Sequence, residues 1–289
     1  MRASFGVSVA LTTPFSDTGD ILPELLADHA KSALQAGVSS VTLYGTTGEG
    51  SSIGAGERRI GLAALLSAQC PAEKIILGVF ATAIADAQAQ IAEGFSYGVT
   101  RFLIVPPFFF KDARDQAIFD WYAALLTQTD PTAQVILYHI PHLTQVSLSV
   151  DLVARLAAHA PDRVIAVKDS SGNWENAKAL IETRAVPVLV GDERLLHRAV
   201  GLGGAGSICG VANLYPERMV RVVETATEDP SISRLVDRVL SVPVIPGLKA
   251  MLAEHTGNLA WERPRPPLQP LSHDERAALF AEQEGVGHG

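Results

Sequence analysis

The chain has 289 residues, and its 47% hydrophobic and 19% charged content predicts a folded globular protein and excludes a disordered one. A net charge of -8 and the absence of any run of Lys or Arg argue against nucleic acid as a partner. Two cysteines, Cys70 and Cys209, lack the spacing of a metal site, so we interpret them as reduced structural thiols.

The N-terminal apolar stretch begins a series of alternating strands and helices. It is short and meets Pro14, so it is interpreted as a strand and not as a signal peptide. β-Branched apolar runs predict strands at 7–12, 38–44, 75–80, 101–105, 134–140, 163–168, 187–190 and 205–209. Helical stretches follow each strand, at 22–35, 55–68, 83–96, 115–128, 149–158, 173–183, 192–201 and 215–225. This α/β pattern predicts a (β/α)8 TIM barrel.

The end of the chain has helical segments but no strand signal. We therefore predict a catalytic barrel domain at 1–225 and a helical C-terminal extension at 226–289. The longest uncharged stretch, 199–215, is Gly-rich and too short for a comfortable membrane span. The sequence thus predicts a cytoplasmic protein that does not contact a membrane.

Three glycines, Gly201, Gly203 and Gly206, satisfy the pattern G-x-G-x-x-G of dinucleotide-binding loops. That fingerprint requires a preceding strand and a following helix. In this chain the glycines follow a predicted helix and precede a strand, which indicates a helix-to-strand turn. A Walker A lysine and an HExxH pair are also missing from the sequence, so nicotinamide cofactors and nucleoside triphosphates have no binding motif in it.

Lys168 ends the sixth predicted strand, and barrel enzymes take their catalytic groups from the C-terminal ends of strands. Alternation places it on the same face as Ala166 and Val164, which indicates a dry position inside the barrel. A buried amine is neutral part of the time and can attack a carbonyl. The alternative is a lysine that reaches solvent or pairs with Asp169. Lys111, in the loop after strand four, is the rival candidate.

Two further features could support an amine nucleophile. Tyr138 lies near the end of strand five, next to Lys168, where a phenol could carry protons; the alternative is a core tyrosine. Strand two ends in a turn in which Gly45 and Gly48 flank Thr46 and Thr47. Such glycines let a backbone turn sharply and present N–H groups to a carboxylate, although an ordinary βα turn is also possible.

Five segments together resemble the dihydrodipicolinate synthase/N-acetylneuraminate lyase family of class I Schiff-base aldolases. They are ALTTPF at 10–15, GTTGE at 45–49, YHIP at 138–141, VKDSSG at 167–172 and GDE at 191–193. The resemblance implies a TIM barrel, commonly tetrameric, that forms an imine with pyruvate or another 2-oxo acid. It implies no metal and no organic cofactor, and its partners are a small-molecule substrate and further copies of the chain.

The same resemblance assigns roles to individual residues. Lys168 would be the imine lysine and Tyr138 the proton-transferring phenol. Thr46 and Thr47, with Gly45 beside them, would hold the substrate carboxylate, and Ile208 would lie next to the bound 2-oxo acid.

Two departures from the family pattern argue against dihydrodipicolinate synthase itself, which remains the alternative function. Leu143 stands where those enzymes carry an arginine for the carboxylate of the aldehyde substrate. Phe109 stands where they carry a tyrosine that extends the proton relay across a subunit interface. A phenyl ring cannot relay a proton.

An acidic pair, Asp192 and Glu193, resembles the residues with which neuraminate lyases hold sugar hydroxyls, and Ser207 matches a hydroxyl residue used there. Carboxylates suit polyols because they accept several hydrogen bonds. Equally, Asp192 could cap the following helix. The narrowest expectation is an aldolase or dehydratase acting on a 2-oxo-3-deoxy sugar acid. An alternative from another class is a barrel that binds a sugar acid without chemistry.

Overall fold

The strands of the computed structural model, which describes residues 5–281, are all parallel and pair in chain order into a closed barrel. They are β1 Gly6–Ala10, β2 Ser40–Leu43, β3 Ile75–Val79, β4 Arg101–Ile104, β5 Gln134–His139, β6 Val164–Asp169, β7 Val188–Val190 and β8 Gly206–Cys209. β8 closes the barrel on β1, with Gly206 opposite Gly6. The predicted (β/α)8 TIM barrel is confirmed.

Helices surround the barrel and continue beyond it. They are α1 Pro23–Gln35, α2 Ala55–Ser67, α3 Ile84–Ser96, α4 Asp115–Thr127, α5 Pro141–Thr144, α6 Val150–His159, α7 Trp174–Thr183, α8 Leu196–Gly201, α9 Pro216–Thr225, α10 Pro230–Leu240, α11 Val244–Thr256 and α12 His273–Phe280. Two details differ from the prediction. The short helix α5 was not expected, and a 3₁₀ turn at Glu193–Leu195 replaces the start of the helix predicted at 192–201. No helix within residues 5–281 is long and apolar enough to cross a membrane.

Side chains on the two faces of the strands form two apolar cores, as expected for parallel strands that are covered on both sides. The outer core lies between the strands and the helices. The inner core fills the barrel with ten buried residues. These are Ala10, Ile76, Leu103, Val105, Ile136, Tyr138, Ile140, Ala166, Leu189 and Ile208.

An irregularity in β6 determines which of its side chains face inward. Val135 of β5 pairs with Val164, but the next residue, Ile136, pairs with Ala166. The extra residue, Ile165, is a β-bulge that breaks the alternation. Val164 therefore packs in the outer core, whereas Ala166 belongs to the inner core. The expectation that Val164 shares a face with Lys168 is wrong for this reason.

The glycine pattern at 201–206 lies at the end of α8 and leads directly into β8. Gly206 has φ +141°, and a Cβ atom there would lie 1.9 Å from the carbonyl oxygen of Gly6. Its lack of a side chain thus allows the first and last strands to meet. The interpretation as a helix-to-strand turn is confirmed.

A buried ion pair joins the C-terminal helices to the loop after β2. Lys249 of α11 is fully buried, and its ammonium group donates to the carboxylate of Glu49 and to the Arg263 carbonyl. The other carboxylate oxygen of Glu49 accepts from the backbone N–H of Arg265 at 2.7 Å. The ring of Phe15 lies 4.5 Å from the Lys249 nitrogen. Glu49 follows the Thr46–Thr47 turn, so these contacts tie that turn to the extension.

Candidate active site

A cavity of about 590 Å³ opens at the C-terminal ends of the strands. Its size falls in the range of pockets that bind small molecules. Side chains from the ends of β5, β6 and β8 and from the β2 loop form its floor, and α10 and α11 contribute one wall. The cavity lies where barrel enzymes carry their active sites.

Lys168 lies at the floor of this cavity and is only 5% exposed. Its Nζ donates to the Tyr138 hydroxyl at 3.1 Å and lies 4.3 Å from the centre of the tyrosine ring. The Asp169 carboxylate accepts instead from the backbone of Ser171 and the side chain of Asn176. Lys168 is thus neither a solvent-exposed lysine nor the partner of Asp169.

The rival lysine, Lys111, does not line the cavity. Its ammonium group donates to the backbone carbonyls of Phe108 and Thr144, at 2.5 Å and 3.0 Å. The first contact lies within the β4–α4 loop and the second joins this loop to α5, so both are structural.

The Tyr138 hydroxyl connects Lys168 to the β2 loop. Strand register places Tyr138 directly opposite Lys168, and the Tyr138 Oη lies 3.0 Å from the Thr46 Oγ1. The three groups form a continuous hydrogen-bonded array at the floor of the cavity. A phenol in this position has one neighbour from which it can take a proton and one to which it can pass it.

The Tyr138→Phe variant is expected to lose about 10²- to 10⁴-fold in kcat, because the ring remains beside Lys168 but the proton carrier is removed. Steady-state kinetics on a substrate of the enzyme would measure the loss. Tyr122→Phe is the matched control, since Tyr122 is equally buried and donates to the Ile104 carbonyl away from the cavity. Equal kcat values for Tyr138→Phe and the unaltered protein would exclude this phenol from proton transfer.

In the turn after β2, the unusual backbone conformations occur at other residues than the expected glycines. Positive φ values occur at Tyr44 and Glu49, both 55°, and not at the glycines. Gly48 is required instead because a Cβ atom would lie 2.7 Å from the Leu11 carbonyl oxygen, whereas Gly45 has no such restriction. Left-handed conformations at non-glycine residues are strained and occur often at functional sites.

Two hydroxyl residues of this turn, Thr46 and Thr47, line the cavity, whereas Gly45 does not. No hydrogen bond within the described chain, residues 5–281, engages the backbone N–H groups of Thr46 and Thr47. Unused N–H groups at the edge of a cavity suit an anionic ligand such as a carboxylate.

The acidic pair after β7 lies in the cavity wall, but its oxygens are largely engaged. Asp192 caps the 3₁₀ turn by accepting from the backbone of Arg194, and it also pairs with the Arg194 guanidinium at 2.6 Å. Glu193 is buried and accepts from the backbone of Val211 at 2.8 Å. Burial raises the pKa of Glu193. This group is therefore more readily protonated than an ordinary glutamate.

Of the other residues singled out from the sequence, some line the cavity and others do not. Ile208 lines the cavity, whereas Ser207 is fully buried outside its lining and donates to the Val190 carbonyl at 2.6 Å. Leu143 lines the mouth with 56% exposure. Phe109 is 72% exposed, stacks edge-on against Phe110 and does not line the cavity.

Several lining residues were not identified from sequence. Ser170 and Ser171 directly follow the reactive strand end, a signal that could have indicated them. His142 also lines the cavity, and burial lowers the pKa of its ring. The apolar residues of α10 and α11 carry no local signal, since only the tertiary fold brings them to the cavity.

Among residues 5–281, no group of three or more His, Cys, Asp or Glu side chains is arranged to hold a metal ion. Both cysteines are buried and free.

Comparison with known proteins places the chain in a family. The family model described as "Dihydrodipicolinate synthetase family" matches residues 3–283. A DapA-like lyase of Chloroflexus aurantiacus is 32% identical, with 98% of this chain and 97% of the relative covered. A 4-hydroxy-tetrahydrodipicolinate synthase of Porphyromonas gingivalis is 31% identical, with 78% of this chain and 75% of the relative covered.

One solved structure is similar to this chain in both sequence and fold. The crystal structure of a dihydrodipicolinate synthase from Agrobacterium tumefaciens is 39% identical and has a TM-score of 0.92. It covers 95% of this chain, and this chain covers 96% of it. Together with the family match over nearly the whole sequence, this likeness leads to one conclusion: the chain is a lyase that belongs to the dihydrodipicolinate synthetase family.

Proposed function

We propose that the protein is a Schiff-base lyase in which Lys168 forms an imine with pyruvate or another 2-oxo acid. The observation that supports this proposal most is the array of Lys168, Tyr138 and Thr46 at the floor of the cavity. The amine lies 3.1 Å from a phenol that can move protons, and the phenol lies 3.0 Å from a hydroxyl of the anion-binding turn. A non-catalytic sugar-acid barrel would have no need of this arrangement.

In the proposed reaction the Lys168 nitrogen attacks C2 of the 2-oxo acid. The resulting carbinolamine loses its hydroxyl as water, with Tyr138 passing the required proton, and leaves a protonated imine. The iminium withdraws electrons from C3, so either loss of a C3 proton or cleavage of the C3–C4 bond gives an enamine. Hydrolysis of the imine at the end of the cycle returns the free amine.

The substrate carboxylate is proposed to bind at Thr46 and Thr47. Both residues line the cavity, and the Thr46 hydroxyl lies 3.0 Å from the Tyr138 hydroxyl. Ile208 of β8 would pack against the apolar carbon of the bound acid. The turn is fixed from behind by the Glu49–Lys249 pair, which supports a preorganised anion site.

The two narrower functions suggested by the sequence gain little support from the cavity. Dihydrodipicolinate synthesis needs a cation for a second carboxylate, and Leu143 offers none. A sugar acid needs free oxygens for its hydroxyls, but Asp192 is engaged with Arg194 and Ser207 lies outside the cavity.

We also propose that the chain forms a homo-oligomer, since the exposed pair Phe109 and Phe110 would be shielded by a second subunit.

Borohydride trapping tests the imine directly. The full-length protein incubated with pyruvate and sodium borohydride is expected to gain the mass of the reduced pyruvate adduct, and peptide mapping is expected to locate it at Lys168. A panel of other 2-oxo acids should be run in parallel, with borohydride alone as the control. If none of these acids gives an adduct in folded protein, the proposed function is wrong.

A further inference from the structure

An apolar wall covers the part of the cavity that lies beyond Lys168. Its residues come from α10, α11 and the short helix α5. They are Leu143, Val236, Val239, Leu240, Val244 and Leu248. Three of them, Leu143, Leu240 and Val244, are about half exposed at the mouth, with 56%, 48% and 47% of their surface accessible. A molecule the size of pyruvate fills only a fraction of a cavity of about 590 Å³, so a second reactant would lie against this wall.

The charges beside the wall disfavour an anionic second reactant. The Arg194 guanidinium donates to both carboxylate oxygens of Asp192 and, from a third nitrogen, to Asp237 of α10 at 2.7 Å. Burial lowers the pKa of His142, which favours the neutral ring. Among the described residues that line the cavity, both cations are thus already committed, Arg194 to two carboxylates and Lys168 to the imine.

We propose that the carbonyl partner of the enamine is an uncharged aldehyde with an apolar chain or ring. In cleavage the same group leaves from a 4-hydroxy-2-oxo acid that carries an apolar substituent. This inference rests on the imine chemistry proposed above, and it names the class of the second substrate. Burial of an alkyl chain against the wall favours such an aldehyde over a polyol, because the side chains of the wall offer no hydrogen-bond partners to hydroxyls.

The bond-forming step balances without any additional reactant. The enamine electron pair at C3 forms the C–C bond to the aldehyde carbon, and the carbonyl π pair moves to the aldehyde oxygen. That oxygen takes a proton from the Tyr138 hydroxyl. Water then hydrolyses the iminium, which releases the 4-hydroxy-2-oxo acid, and the proton set free returns to the Tyr138 phenolate and leaves the neutral Lys168 amine.

A homologous series of aldehydes tests this proposal. With pyruvate saturating, kcat/KM for acetaldehyde, butanal and hexanal is expected to rise about fourfold per added methylene until the wall is filled. Glyceraldehyde, a polyol, and succinic semialdehyde, an anion, are expected to react at least about tenfold more slowly than butanal. Product formation is followed by mass spectrometry of the 4-hydroxy-2-oxo acid.

Variants of the wall separate its contribution from that of the imine site. Leu240→Ser and Val244→Ser are expected to flatten the chain-length series while pyruvate still gives its borohydride adduct. Leu143→Arg is expected to raise kcat/KM for succinic semialdehyde relative to butanal. Leu202→Ser is the matched control, since Leu202 is 41% exposed at the end of α8 and does not line the cavity.

Two outcomes would overturn the inference and can be told apart. If pyruvate gives its normal adduct but kcat/KM does not depend on the aldehyde chain length, or no aldehyde is consumed, only the proposal of an apolar aldehyde is contradicted. The absence of any adduct with a 2-oxo acid contradicts the imine chemistry and removes the basis of both proposals.

Discussion

Lys168→Ala and Lys168→Arg are both expected to lower kcat by about 10⁵-fold or more and to abolish the borohydride adduct. Removing a nucleophile that forms the covalent intermediate typically has effects of this size. The arginine variant keeps a positive charge beside Tyr138, but a guanidinium is not deprotonated in proteins and cannot form the imine. Loss of activity in both variants would therefore separate the nucleophile from a cation that merely binds the substrate.

The matched control is Lys178→Ala, because the Lys178 side chain is 43% exposed on α7 and pairs with Glu182 on the same helix. Circular dichroism and thermal unfolding of each variant would establish that the barrel is intact. If Lys168→Arg retained more than a few per cent of activity in folded protein, the lysine would act through its charge and the imine mechanism would be wrong.

Lys249→Met is expected to lower the free energy of unfolding by about 3–5 kcal/mol, measured by denaturant titration at pH 7. The substitution leaves the Glu49 carboxylate buried without its cation, and both side chains of the pair are fully buried. Glu49→Gln/Lys249→Met should recover most of the loss, because the buried charge is removed as well. A double variant as unstable as Lys249→Met would instead indicate that packing of the lysine stem dominates.

How well sequence predicts each feature depends on whether its cause is local. Lys168 and Tyr138 could be placed at strand ends because apolar periodicity and a parallel topology determine where each strand stops. Val164 could not be oriented, since the bulge at Ile165 follows from pairing with β5 and leaves no pattern in the sequence of β6 itself. Alternation holds only where the ladder is regular.

Contacts between distant segments account for the remaining differences. The Thr46–Thr47 turn was expected to depend on flexible glycines, but Gly48 is required by a close approach to Leu11 of another segment. The apolar wall of α10 and α11 was unpredictable for the same reason. The sequence of a helix indicates which of its faces is apolar, but not which part of the barrel that face will cover. Ser207, predicted from resemblance alone, is turned away because β8 directs its hydroxyl toward the β7 carbonyl.

The buried ion pair between Lys249 and Glu49 also affects the order in which the protein folds during synthesis on the ribosome. All eight strands emerge before α10 and α11, so a nascent chain can pair β8 with β1 while Glu49 still lacks its cation. At that stage Lys168 and Tyr138 are in register, but the second-strand turn is unanchored and the apolar wall is absent. Docking of the final helices thus completes the lining of the cavity, and we expect activity to appear only after the extension has been synthesised.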